Sequence, residues 1–139
     1  MKSALVCVCV CLALISGCGY GEAPSSGSAK YVKLSESNFE EAVLKNPKPV
    51  LVDFGATWCE PCRGMEPVIA ELAAEFEGRA TVGKVDIDSE PSVAAKYDIG
   101  PIPAFLFFKN GKVVDGVIGG TRKRVLAAKL SRLLSETRE

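Results

Sequence analysis

Cys59 and Cys62 stand two residues apart in Trp58-Cys59-Glu60-Pro61-Cys62, directly after the apolar run Val50-Leu51-Val52-Asp53-Phe54. A strand that runs into a helix would put this pair at the first helical turn. Unsatisfied backbone N–H groups and the positive end of the helix dipole there favour negative charge. Thiolate is the attacking species in disulfide exchange, so the pair is a candidate dithiol that opens and closes a disulfide. The same spacing also suits two structural cysteines or half of a zinc site. Zinc takes four ligands, and no other cysteine follows Tyr31 and no histidine exists anywhere in the chain.

The missing histidine excludes a His-based triad, a His general base and most haem ligation. The charge is balanced, with 17 basic and 17 acidic residues in 139, so nothing suggests a nucleic-acid surface. Of six cysteines, Cys7, Cys9 and Cys11 lie inside the apolar run Ala4 to Ile15, and Cys18 closes it. Only Cys59 and Cys62 belong to the part expected to fold, which argues against a disulfide scaffold.

Residues 1–17 are expected to be a signal peptide. Lys2 supplies a weak positive start, and the apolar run is too short for the roughly 20 residues of a spanning helix. Ile15-Ser16-Gly17-Cys18 resembles the bacterial lipoprotein box. That resemblance implies cleavage before Cys18, lipidation of Cys18 and a membrane anchor. Each buried CH₂ contributes about 0.8 kcal/mol, so several acyl chains hold where one would not. Residues 18–29 are rich in Gly and Ser and read as a tether with a reach of roughly 20 Å. The domain, 30–139, is thereby expected outside the cytoplasm, where disulfides persist.

The elements that must position the cysteines follow from periodicity. Tyr31 to Leu34 reads as a strand and Ser35 to Lys45 as a helix, with Ser37 and Glu40 as a capping pair. Val50 to Phe54 is a buried strand. A helix follows from about Cys59 to Glu77, kinked by Pro67 and ended by Gly78. Thr81 to Ile87 alternates as a strand, and Pro91 to Tyr97 is a short helix. Ala104 to Phe108 is a strand, turned by Asn110-Gly111 into Val113 to Ile118. Thr121 is expected to cap a last helix with Val125, Leu126, Leu130, Leu133 and Leu134 inward. The order βαβαβαββα predicts an α/β domain, a mixed sheet with helices on both faces. Asp53 lies in the middle of the apolar strand, where a carboxylate is costly unless paired or protonated.

From Tyr31 to Leu134 the chain resembles thioredoxins. The likeness rests on an ordered set: Val52-Asp53-Phe54, Trp58-Cys59-x-Pro61-Cys62, Pro67, Lys84-Val85-Asp86, Ile102-Pro103, Phe107-Phe108-Lys109-Asn110-Gly111 and Ile118-Gly119. It implies the thioredoxin fold and no cofactor beyond the Cys59–Cys62 disulfide. It implies that Cys59, partly exposed, attacks a substrate disulfide, and that Cys62, more buried, resolves the mixed disulfide. Asp53 would help Cys62 lose its proton, with Lys84 on the adjacent strand as its partner. The peptide before Pro103 would be cis. Trp58, Ile102, Ile118 and Gly119 would rim a groove for an extended substrate strand. Ala104 stands where the family more often has Thr, which should alter packing behind the cis-proline.

Glu60 departs from the common family motif, which has Gly there. A carboxylate about 7 Å from the Cys59 thiolate costs it roughly 0.6–2.4 kcal/mol at an effective dielectric of 20–80. That disfavours the dithiol form and makes the pair more reducing. The leading expectation is a lipid-anchored reductase of protein disulfides, fed with electrons by a membrane thiol carrier. The other readings are an apocytochrome c thiol reductase, an oxidase or isomerase, and a non-catalytic adaptor. The first of these usually carries an insertion before the cis-proline that this chain lacks. Pro61 and the absence of a His between the cysteines argue against the second. The intact dithiol with Asp53, Lys84 and Pro103 argues against the third.

Overall fold

The computed structural model describes residues 31–136. Residues 1–30, which hold the expected signal peptide, Cys18 and the tether, lie outside the described residues, as do 137–139. The elements are β1 (Val32–Lys33), α1 (Glu36–Phe39, continuing as a π-helical turn over Glu40–Leu44), β2 (Val50–Gly55), α2 (Glu60–Glu75), β3 (Thr81–Asp86), α3 (Pro91–Lys96), β4 (Ala104–Lys109), β5 (Lys112–Ile118) and α4 (Lys123–Ser135).

The five strands form one sheet in the order β1-β3-β2-β4-β5. β1 and β2 run parallel to β3, while β4 is antiparallel to both β2 and β5. This is the mixed α/β architecture that the element order predicts. The β4–β5 turn is a two-residue loop because Asn110 and Gly111 both take positive φ, 51° and 75°, the geometry that matches strand twist. Gly111 is required twice over, since a Cβ there would sit 2.5 Å from the Leu44 carbonyl oxygen.

Helices cover both faces, so all six residues of β2 are buried. Val50, Val52 and Phe54 point to one side and join Phe39 and Val43 of α1, Val93 of α3 and Phe108. Leu51 points to the other, toward Met65, Ile69 and Leu72 of α2 and Leu126, Leu130 and Leu133 of α4. Strand side chains alternate, so Asp53 shares the α2 side with Leu51.

Three local expectations change. The cap of α1 is Ser35, whose backbone N–H donates to the Asn38 side-chain oxygen at 2.9 Å; the Ser37/Glu40 pair lies two residues too late. The cap position of α4 is Arg122, with no side-chain cap bond, so Thr121 sits one residue outside the helix. α2 ends at Glu75 rather than Glu77, with Pro67 inside it and Gly78 in the left-handed region at φ 79° beyond it. Pro67 lacks an N–H, and the Arg63 carbonyl forfeits that helical bond.

Candidate active site

Three features of the sequence converge where β2 meets α2. Pro61 lies in the first turn of α2, where a missing N–H costs nothing. Cys59 is the cap residue in extended conformation, and its sulfur accepts from the Cys62 N–H at 3.2 Å. The two sulfurs are bonded, with Sγ–Sγ 2.07 Å. Negative charge developing on Cys59 when this bond opens would face the first N–H groups of α2 and its positive end.

Both cysteines are 5% exposed, so the expected contrast between an open Cys59 and a buried Cys62 is absent in this disulfide form. The reason is local packing. Ala56 joins the two cysteines in a small apolar cluster, with Ile87 and Ile102 against it. Gly55 makes room for them. A Cβ on Gly55 would lie 3.3 Å from Cys62 Cβ, tighter than most packing allows. The motif reading did not single out Gly55, though a glycine closing an apolar strand is a recognised sign of close approach.

The Ile102–Pro103 peptide is cis, and Pro103 is buried. Its carbonyl accepts from the Gly119 N–H at 2.7 Å, which ties the end of β5 to the cis bond. Ile118, 58% exposed, pairs with Ala104 in the sheet register. Trp58 is 67% exposed beside Cys59. Its indole N–H donates to Asp88 at 2.7 Å, and the Asp88 N–H is held in turn by Asp86. Trp58, Ile102, Ile118 and Gly119 thus lie on the loops and strand end around the disulfide. Asp88 is a further member that no sequence signal indicated, because its partner lies 30 residues away. Glu60 is exposed at the first position of α2.

Asp53 lies two residues before Gly55 on the same side of the sheet, the side that Cys62 packs against. It is 1% exposed, and both carboxylate oxygens lack a hydrogen-bond partner. Its carboxyl is pushed up from 3.8 to about 6, chiefly by burial, with the Lys84 ammonium acting downward and Glu66 upward within that net shift. Lys84 is the direct register neighbour of Asp53 across β2–β3. It is nevertheless not hydrogen-bonded to Asp53. Its Nζ lies 3.0 Å from Glu66 Oε1 and 5.4 Å from the Tyr31 ring centre. The expected Asp53–Lys84 contact is therefore replaced by Lys84–Glu66. Glu66 is four residues beyond Cys62, one helical turn, and brings a charge into the site that the motif reading missed. A cleft of about 300 Å³ lies between these groups, lined by Cys62, Gly55, Lys84, Glu66, Tyr31 and Lys33, among others.

Among the described residues, no cluster of His, Cys, Asp or Glu is placed to hold a metal. A disulfide at a helix start, packed against Ile102 of the cis peptide and on the same side of the sheet as a buried acid, defines a thiol-disulfide redox protein. The sequence profile of the thioredoxin family matches residues 30–132. Thioredoxin 2 of Chlorobaculum tepidum is 44% identical over 103 residues, which span 74% of this chain and 94% of that protein. The thioredoxin of Staphylococcus haemolyticus is 45% identical over 74% of this chain and 97% of its own length. The thioredoxin of Pyropia yezoensis is 43% identical over 74% and 96%. The chain belongs to the thioredoxin family. It is a thiol-disulfide oxidoreductase with the Cys59–Cys62 pair as its redox group, no cofactor, and disulfide-containing proteins as substrates.

Proposed function

We propose that this oxidoreductase runs as a reductase of protein disulfides outside the cytoplasm, anchored through a lipid on Cys18 and recharged by a membrane thiol carrier. The Cys59 thiolate attacks a substrate disulfide and displaces one substrate thiolate, leaving a mixed disulfide. Cys62 passes its proton to the Asp53 carboxylate and attacks Cys59 Sγ. The second substrate thiolate leaves, the Cys59–Cys62 bond closes, and two electrons have moved to the substrate. Trp58, Ile102, Ile118 and Gly119 receive the extended substrate strand. The observation that carries the chemistry is the unpartnered buried Asp53 on the Cys62 side of the sheet. It is the group there able to take a proton from a thiol without first giving up a hydrogen bond.

The reducing direction is supported by Glu60, whose exposed carboxylate opposes thiolate at Cys59, and by the absence of any histidine. The location is supported by Ile15-Ser16-Gly17-Cys18 and the Gly/Ser-rich stretch after it. Acid-quenched cells treated with a thiol-alkylating mass tag test the direction. A mostly reduced Cys59/Cys62 pair outside the cytoplasm is expected; a pair that stays oxidised overturns the reductase reading. Cys18→Ser is expected to release the protein from the membrane fraction. If it stays there, the anchor is elsewhere.

A further inference from the structure

An ammonium one strand over from a buried carboxylate, in register and on the same side of the sheet, ordinarily closes an ion pair. Here it does not. Lys84 reaches outward to Glu66 at 3.0 Å, and both oxygens of Asp53 are left bare. Glu66 is the outer member of the pair, with 55% of its side chain exposed against 19% for Lys84. We infer that Glu66 is a positioning residue that draws Lys84 away from Asp53, leaving the Asp53 carboxylate unpaired and free to take the proton of Cys62. The inference rests on the reading of Asp53 as proton acceptor.

Geometry gives Glu66 this reach. It follows Cys62 by one turn of α2, so one helix presents both the thiol and the tether to the same cleft. The elements packed around Asp53 bring few other charges. β4 places Phe105 opposite it, and α2 contributes Met65 and Ile69, all apolar. β3 brings Lys84 and, two residues on, Asp86; β1 brings Lys33, in register with Lys84 on its far side. Of these, Lys84 and Glu66 act on Asp53, with opposite signs. A paired Asp53 would hold its charge firmly and make a poor acceptor. An Asp53 with Lys84 tied back titrates closer to neutrality, where it both accepts and returns a proton.

Replacing Glu66 by Gln keeps the shape and removes the charge. Lys84 is then free to turn inward, and Asp53 should lose its proton more readily. The test uses full-length reduced protein and limiting 5,5′-dithiobis(2-nitrobenzoate). Release of the second thionitrobenzoate reports attack of Cys62 on the Cys59 mixed disulfide, followed from pH 5 to 9. Infrared titration of the Asp53 carboxyl stretch in the oxidised protein gives a second readout. Glu66→Gln is expected to move both midpoints to lower pH, on the order of half a unit. In Asp53→Asn the inflection should vanish, and adding Glu66→Gln should then change nothing. In Lys84→Met the shift caused by Glu66→Gln should shrink. An unmoved or alkaline-shifted midpoint in Glu66→Gln overturns the role of Glu66 while leaving Asp53 as acceptor. A full-sized shift in the Lys84→Met background also overturns it, because Glu66 would then act without Lys84. If Asp53→Asn keeps the inflection, the acceptor reading itself fails.

Discussion

β2 is buried on both sides, yet its two sides are built to opposite ends. On the α1/α3 side, Phe39, Phe54, Tyr97 and Phe108 interlock. Tyr97 meets Phe108 edge-on at 5.3 Å between ring centres, and Phe39 meets Phe108 likewise at 5.9 Å. Such contacts add to the large apolar area the rings bury. On the α2/α4 side the strand begins with Leu51 in an apolar cluster and then carries Asp53, unpartnered, and Gly55, which has no side chain to pack. Both sides contribute apolar burial, but the second gives some stability up to hold a bare carboxylate on the side that Cys62 packs against.

The contrast breaks most completely at the sulfur. Cys59→Ser is expected to abolish disulfide turnover, since the redox bond cannot close without both sulfurs, while Cys62→Ser should accumulate mixed disulfides with substrates. Gel shifts under non-reducing conditions check both. An adaptor would keep its partners' function in Cys59→Ser.

A lesion on the aromatic side should behave in the opposite way. Phe108→Ala leaves a cavity among rings and should cost about 3–5 kcal/mol of unfolding free energy. The pH dependence of Cys62 attack in the remaining folded protein should be unchanged. Denaturant titration and the thionitrobenzoate assay separate the two effects.

Asp53→Asn sharpens the comparison through pH. The folded carboxyl titrates at about 6 against 3.8 when unperturbed, so the fold binds the proton more tightly than the unfolded chain does. Stability from this group is therefore fully present below about 3.8, falls as pH rises toward about 6, and stays at the lower level above it. Asp53→Asn should then stabilise the protein by up to about 3 kcal/mol at pH 7.5, by little at pH 4, and should slow Cys62 attack. A variant less stable than wild type at pH 7.5 would contradict the strain assigned to Asp53.

The smallest expected effect is at the exposed rim. Glu60→Gly removes the exposed carboxylate that adjoins Cys59 in the chain and should raise the reduction potential by at most tens of millivolts, given that roughly 1.4 kcal/mol corresponds to 30 mV. Equilibration with a glutathione redox buffer measures it. An unchanged or lower potential removes the tuning role of Glu60.

The strands, the order of the elements, the Asn110-Gly111 turn and the dithiol were legible in the sequence because each depends on neighbours in the chain. Alternation marks β3, an apolar run marks β2, and positive φ at two turn positions selects Asn-Gly. The helix starts were legible only to within a residue or two. Several polar residues compete there for the same backbone groups, and Ser35 with Asn38 prevailed over Ser37 with Glu40.

The site divides in the same way. Local sequence determined the chemistry: two thiols at a helix start, a proline that leaves the first turn undisturbed, and an acid inside an apolar strand. The tertiary structure decided the electrostatics. Whether Lys84 serves Asp53 or Glu66 depends on which side chain α2 delivers above β3. Whether Cys59 is open depends on how Ala56, Ile87 and Ile102 close around it. Trp58 finds Asp88 on the loop after β3. Coulomb and burial energies depend on distance and on the surrounding medium, and the linear order of residues specifies neither.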